Sequence, residues 1–139
     1  MIPQMLPLIA LFNHDDGIIA LLEHALVDAG YRVVPFTIEK PNSVPVAEDL
    51  IAFLEANRPQ VAVYDIEPPY QNSWDLFEAV RLATSWCPFV LTTTDLNPES
   101  QLIQPPVETI LVQKPYGLRN LLDAVKLALE AGEAAATQS

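Results

Sequence analysis

Three chemically different side chains, Asp65, Thr93 and Lys114, lie at the ends of three short apolar runs. Each run has the length of a buried strand, and the carboxyl ends of parallel strands share one edge of a sheet, where open α/β folds bind ligands. A carboxylate, a hydroxyl and an ammonium group at one edge are suited to carrying a phosphoryl group. The carboxylate attacks, the ammonium group neutralises phosphate oxygens, and the hydroxyl donates a hydrogen bond to one of them.

Asp65 ends the apolar run Val61–Tyr64 and is followed by Ile66, Glu67 and two prolines. Consecutive prolines cannot continue a strand or donate backbone hydrogen bonds, so the chain must leave the sheet as a loop. The pattern therefore predicts Asp65 at the carboxyl end of a central strand. An isolated Asp can equally be a turn former or a helix cap. The polar residues at the other strand ends favour a functional role.

Apolar runs alternate with helical patterns five times along the chain. The first strand, Leu6–Phe12, ends in the polar turn Asn13–Gly17, and apolar residues at helical spacing follow. The second strand, Arg32–Thr37, contains Pro35, which sheets tolerate at an edge. The sequence therefore predicts an α/β fold, a flavodoxin-like, doubly wound, five-stranded parallel sheet with strand order 2-1-3-4-5 and helices on both faces.

The remaining predicted strands are 61–65, 89–91 and 109–112, and the later helices are 46–57, 73–83, 99–103 and 117–129. Ser73 is the predicted N-cap of the third helix. We expect one domain at residues 1–131 and a flexible C-terminal tail at residues 132–139, because the apolar pattern stops near Gly132.

Composition excludes several function classes. The chain has 139 residues and a formal net charge of −11 at pH 7, which argues against nucleic acid or an anionic membrane as a partner. With one cysteine it can form no internal disulfide, and its apolar runs are shorter than the ~20 residues of a membrane span. We therefore expect a soluble, cytoplasmic protein.

Over residues 6–131 the sequence resembles the receiver domain of two-component response regulators. Asp65, with the loop proline Pro69, is similar to the family's phospho-acceptor strand end. Thr93 matches the family's conserved hydroxyl, and Lys114 with its following proline matches the family's lysine–proline pair. The three matches occur in the family's order and on the predicted elements.

The resemblance implies a function and a set of roles. Asp65 would be the phospho-acceptor and an Mg²⁺ ligand, the backbone carbonyl of Glu67 a second ligand, Lys114 the counter-charge and Thr93 the switch donor. The chain would take its phosphoryl group from a histidine kinase or a histidine phosphotransfer protein. Its enzymatic activity would be at most self-catalysed transfer to Asp65 and hydrolysis. We expect a stand-alone receiver that signals through protein contacts on the face of the predicted fourth helix, fifth strand and fifth helix. A homodimer is compatible with this interpretation.

The sequence departs from the family where two acidic residues hold magnesium after the first strand. The alignment places Asn13 and His14 at those positions, and histidine is a poor magnesium ligand. We therefore expect weakened metal binding, with Asn13 holding the ion through water or Asp15 replacing a missing carboxylate. Leu111 stands where the family has an aromatic residue that changes rotamer on phosphorylation.

These departures leave alternatives open. The first is a pseudo-receiver, a phosphorylation-independent protein-binding module that keeps the fold. His14 could be a transition-metal ligand, a second phosphorylation site or a polar turn residue. A flavin binder is disfavoured, because the turn after the first strand lacks the hydroxyl-rich sequence that a flavin site would need.

Overall fold

A computed structural model describes residues 6–38, 44–66, 70–93, 110–113 and 117–138. Within them the chain forms five strands and four helices. The strands are β1 Leu8–Asn13, β2 Arg32–Thr37, β3 Val61–Ile66, β4 Phe89–Thr93 and β5 Ile110–Gln113, and the helices are α1 Asp16–Asp28, α2 Val44–Asn57, α3 Tyr70–Ala83 and α4 Leu118–Gln138.

The five strands form one parallel sheet with the order β2-β1-β3-β4-β5. This confirms the predicted flavodoxin-like order. Edge strand β2 carries Pro35, paired in register with Leu11 of β1, so the missing N–H of the proline is tolerated at an edge as the sequence predicts.

β3 lies in the middle of the sheet, and all six of its residues are buried. Val61 and Val63 pack in the core formed with α1 and α4, whereas Ala62, Tyr64 and Ile66 pack in the core formed with α2 and α3. Successive side chains of a strand point to opposite faces, so helices on both faces require an uninterrupted apolar run. This is why β3 has no polar residue before Asp65.

Two helices differ from the sequence predictions. α3 begins at Tyr70, so Ser73 lies in the first turn of the helix, 2% exposed, and is not the residue before it. The preceding residues in the sequence are Pro68 and Pro69. Proline suits the start of a helix because the backbone N–H groups of the first turn have no intrahelical acceptor, so the missing N–H of proline costs no hydrogen bond.

α4 continues to Gln138, through most of the segment predicted to be a flexible tail. The segment contains three consecutive alanines, a glutamate and a glutamine, which have high intrinsic helix propensity, so the helix continues after its apolar stripe ends. The predicted fourth helix, 99–103, lies outside the described residues, and α4 corresponds to the predicted fifth helix. None of the helices in the described part of the chain has the length and apolar character needed to span a membrane.

Candidate functional site

Asp65 lies one residue before the end of β3 and is completely buried. Its neighbours across the sheet are Asn13 on one side and Thr92 on the other. Thr92 is its register partner on β4, and Asn13 directly follows Phe12, which is paired with Tyr64. Asn13 is 2% exposed and Thr92 is 1% exposed. We refer to Asn13, Asp65 and Thr92 as the Asp65 site.

A hydrogen bond joins two members of the Asp65 site. The Thr92 hydroxyl oxygen Oγ1 donates to Asp65 Oδ1 at 2.7 Å. Because both side chains are shielded from water and a carboxylate is the acceptor, this is a charge-assisted bond of the stronger kind. Thr92 was not among the site residues predicted from the sequence, where Thr93 was the predicted hydroxyl.

Thr93 lies one position further along β4, and its backbone pairs with Ile66 and Gln113. Its side chain lies outside the described part of the structure, so its role as a switch donor stays a prediction. The alternation of side chains along a strand could have identified Thr92. Residues two apart share a face, so Asp65 lies on the face of Val63 and Thr92 on the face of Val90, and these two valines pack in the same core.

The side chain of Asn13 is engaged within the turn after β1. Its Oδ1 accepts a hydrogen bond from the backbone N–H of Asp15 at 3.0 Å. An amide oxygen has two lone pairs, so this bond leaves Asn13 able to accept a second donor or to face a cation.

Asp15 caps helix α1. Its Oδ1 accepts hydrogen bonds from the backbone N–H groups of Gly17, at 2.7 Å, and Ile18, at 3.2 Å. Replacing such a cap costs about 0.5–2 kcal/mol. The role of Asp15 as a replacement metal ligand stays a prediction, and a metal bound through Oδ1 would compete with this cap.

Removing the Asp15 side chain tests these two roles. We expect Asp15→Ala to lower the free energy of unfolding by about 1 kcal/mol, because two N–H groups of α1 lose their acceptor. Asp15→Asn should stay near the native value, since asparagine caps equally well. Urea denaturation with and without MgCl₂ measures both effects. If MgCl₂ stabilises both variants less than it stabilises the native chain, Asp15 binds the metal.

His14 and Tyr64 carry buried polar atoms near the site. His14 Nε2 and the Tyr64 hydroxyl are shielded from water and make no hydrogen bond within the described residues. Burial, together with the neighbouring Asp65 carboxylate, raises the pKa of Tyr64 well above its usual value, so the phenol stays neutral. The Tyr64 ring packs between Phe12 and Phe77, with ring centroids 5.6 and 5.3 Å away.

Lys114 and Glu67 are the remaining residues predicted for the site, and both lie outside the described residues. The strands that lead to them end at the same level of the sheet. Ile66, the last residue of β3, and Gln113, the last residue of β5, are both register partners of Thr93. Ile66 and Gln113 therefore lie at the same level of the sheet, and the roles of Glu67 and Lys114 stay predictions.

Magnesium is the metal ion that the sequence resemblance implies. Mg²⁺ prefers oxygen ligands, and the Asp65 site supplies one carboxylate and one amide oxygen. Across the described ranges, no cluster of three or more His, Cys, Asp or Glu side chains could hold a metal. A hard cation held by the two oxygen donors of the Asp65 site would keep most of its water, and magnesium binding here stays a prediction.

Comparisons with known proteins agree on the fold. No protein-family model and no curated protein sequence matches the chain. Among solved structures, a response regulator receiver domain protein from Methanospirillum hungatei JF-1 matches with 21% identity and a TM-score of 0.74, over 93% of this chain and 98% of that one. The chemotaxis protein CheY4 of Vibrio cholerae matches with 22% identity and a TM-score of 0.70, over 89% and 99% of the two chains.

A response regulator receiver protein from Sinorhizobium medicae WSM419 is also similar, with 23% identity and a TM-score of 0.67, over 91% of this chain and 97% of that one. The chain therefore has the CheY-like fold of response regulator receiver domains. This confirms the fold that the sequence resemblance implies.

Proposed function

We propose that this chain is a receiver domain that accepts a phosphoryl group on Asp65 and passes the signal on through protein contacts. The observation that carries the proposal is the position of Asp65. It is a buried carboxylate near the carboxyl end of the central strand, with Asn13 and Thr92 beside it in the sheet. Ligand sites of open parallel sheets lie at this edge.

The proposed reaction is nucleophilic attack by an Asp65 carboxylate oxygen on phosphorus. An acyl phosphate forms while the P–N bond of a donor phosphohistidine breaks and the imidazole takes up a proton. Lys114 would balance the phosphate charge, and the Thr93 hydroxyl would bond to a phosphate oxygen. Mg²⁺, when bound, would neutralise charge on the phosphoryl oxygens, with Asp65, Asn13 and the Glu67 carbonyl as its candidate ligands.

The donor in this proposal is a histidine kinase or a histidine phosphotransfer protein. The proposed output surface comprises β5, α4 and the segment 99–103. In this scheme Leu111 replaces the aromatic residue through which the family couples phosphorylation to that surface, so the response would be carried by a smaller apolar side chain.

Mass spectrometry after incubation with acetyl phosphate tests the proposal. We expect the native chain to gain one phosphoryl group in the presence of Mg²⁺ and Asp65→Asn to gain none. The Thr92 hydroxyl can still donate to the amide oxygen of the variant, so Asp65→Asn should stay folded. Asp75→Asn, which removes an exposed carboxylate from α3, is the matched control and should react like the native chain.

A pseudo-receiver is the second candidate. It is favoured by the amide and imidazole at positions 13 and 14, where the family has two acidic residues, and by the use of Asp15 Oδ1 to cap α1. A folded native chain that gains no phosphoryl group from acetyl phosphate, from a phosphorylated kinase or from a phosphotransfer protein would establish the pseudo-receiver and refute the first proposal.

A further inference from the structure

The hydrogen bond between Thr92 and Asp65 places a hydroxyl on the proposed nucleophile before any phosphoryl group is present. Oγ1 and Oδ1 are 2.7 Å apart, and the two residues are 1% and 0% exposed. Their backbones are register partners in adjacent strands, so the contact is built into the sheet. We infer that Thr92 is a positioning residue that restrains phosphorylation of Asp65 by stabilising its unphosphorylated carboxylate.

The acceptor of the Thr92 hydrogen bond changes when Asp65 reacts. Before phosphorylation, Thr92 donates to a carboxylate oxygen that carries negative charge. In an acyl phosphate, the oxygen that keeps this bond is a carbonyl oxygen without formal charge. Hydrogen bonds to charged acceptors are roughly twice as strong as bonds between neutral groups. The contact therefore stabilises the reactant more than the product.

The same comparison applies to the rate. As the carboxylate attacks phosphorus, its negative charge is drawn into the new P–O bond, and the hydrogen bond from Thr92 weakens. An interaction that is stronger in the ground state than in the transition state slows the reaction.

The position of Thr92 separates its role from the one predicted for Thr93. The Thr93 hydroxyl is expected to bond to the phosphate after transfer, whereas Thr92 acts on the carboxylate before transfer. Loss of the Thr93 hydroxyl should therefore impair the response to phosphorylation, and loss of the Thr92 hydroxyl should promote phosphorylation itself. The inference rests on the proposed function and adds a regulation of the same site.

The test is a time course of phosphorylation by acetyl phosphate at saturating Mg²⁺, followed by mass spectrometry. An Asp65 oxygen bonds to phosphorus as the P–O bond to acetate breaks, and acetate leaves with the electron pair. We expect Thr92→Val to react about three- to tenfold faster than the native chain, the range expected when a charge-assisted hydrogen bond is lost from the reactant. Thr92→Ser, which keeps the hydroxyl, should react at the native rate.

Rescue by serine distinguishes positioning from a packing role, because serine lacks the methyl group that packs but keeps the donor. Thr92→Ala is a second variant without the hydroxyl, in case valine does not fit, and thermal unfolding shows which variants are folded. If the native chain is phosphorylated and the folded valine or alanine variant reacts at an equal or lower rate, the inference is overturned and the proposed function stands. No phosphoryl gain in any of these proteins overturns the proposed function and the inference with it.

Discussion

Replacing Asn13 and His14 together by aspartate is expected to raise the affinity for Mg²⁺ at least tenfold. Asn13 lies next to Asp65 in the sheet and is 2% exposed, so a carboxylate there would face the same cation with little competing water. At an effective dielectric constant of about 20, two unit charges 4 Å apart attract each other by about 4 kcal/mol, and part of this is lost to desolvation. Tenfold in affinity requires only about 1.4 kcal/mol.

The same substitution should destabilise the metal-free protein. It buries a carboxylate beside Asp65, and like charges in a shielded site repel each other. We therefore expect a lower melting temperature without metal and a larger increase on adding MgCl₂, because a ligand that binds only the folded state stabilises it more when it binds more tightly. Calorimetric titration measures the affinity for Mg²⁺, and thermal unfolding with and without MgCl₂ measures how much the metal stabilises the folded protein.

Two controls make this result interpretable. Asn13→Asp alone tests the position that the structure places beside Asp65. Ser85→Asp adds an exposed carboxylate before the amino end of β4, whereas Asp65 lies near the carboxyl end of β3. This variant should leave Mg²⁺ affinity unchanged. An unchanged affinity in the double variant would mean that Asn13 and His14 do not occupy the acidic-pair positions, and the alignment with the receiver family after β1 would be wrong.

Phe77→Ala is expected to have the largest effect on stability, a loss of about 3–5 kcal/mol in the free energy of unfolding. Phe77 is completely buried on α3. Its ring lies 5.3 Å from Tyr64, 5.4 Å from Trp74 and 5.2 Å from Phe89, measured between centroids. Truncation would remove these contacts and leave a cavity between α3 and the sheet. Domains of this kind are stable by about 5–15 kcal/mol, so the variant would lose a large share of its stability.

Urea denaturation measures this loss, and Leu82→Ala is the matched control on the same helix. Leu82 is 66% exposed, so its truncation should change the free energy of unfolding by no more than about 0.5 kcal/mol. A loss below about 1 kcal/mol for Phe77→Ala would contradict the packing of α3 on this face. Tyr64 contacts Phe77 and precedes Asp65, so we also expect slower phosphorylation in any fraction of the variant that stays folded.

Much of the fold could be predicted from local patterns in the sequence. Buried parallel strands require uninterrupted apolar runs, a proline within a strand indicates an edge, and polar residues after each run indicate where the chain leaves the sheet. These rules are sufficient for the strand order and for the position of Asp65. They failed at the start of α3 and the end of α4, because helix ends depend on small differences in propensity and capping.

Only the tertiary structure decided which side chains contact Asp65. The sequence offers Thr92, Thr93 and Thr94 in succession, and the one that meets the carboxylate depends on the stagger between β3 and β4. A shift of one residue moves every side chain of a strand to the other face, and the packing of both cores sets that stagger. The role of Asp15 as a cap likewise depends on where α1 begins. The residue types at the site could therefore be predicted from the sequence, whereas their partners required the register of the folded sheet.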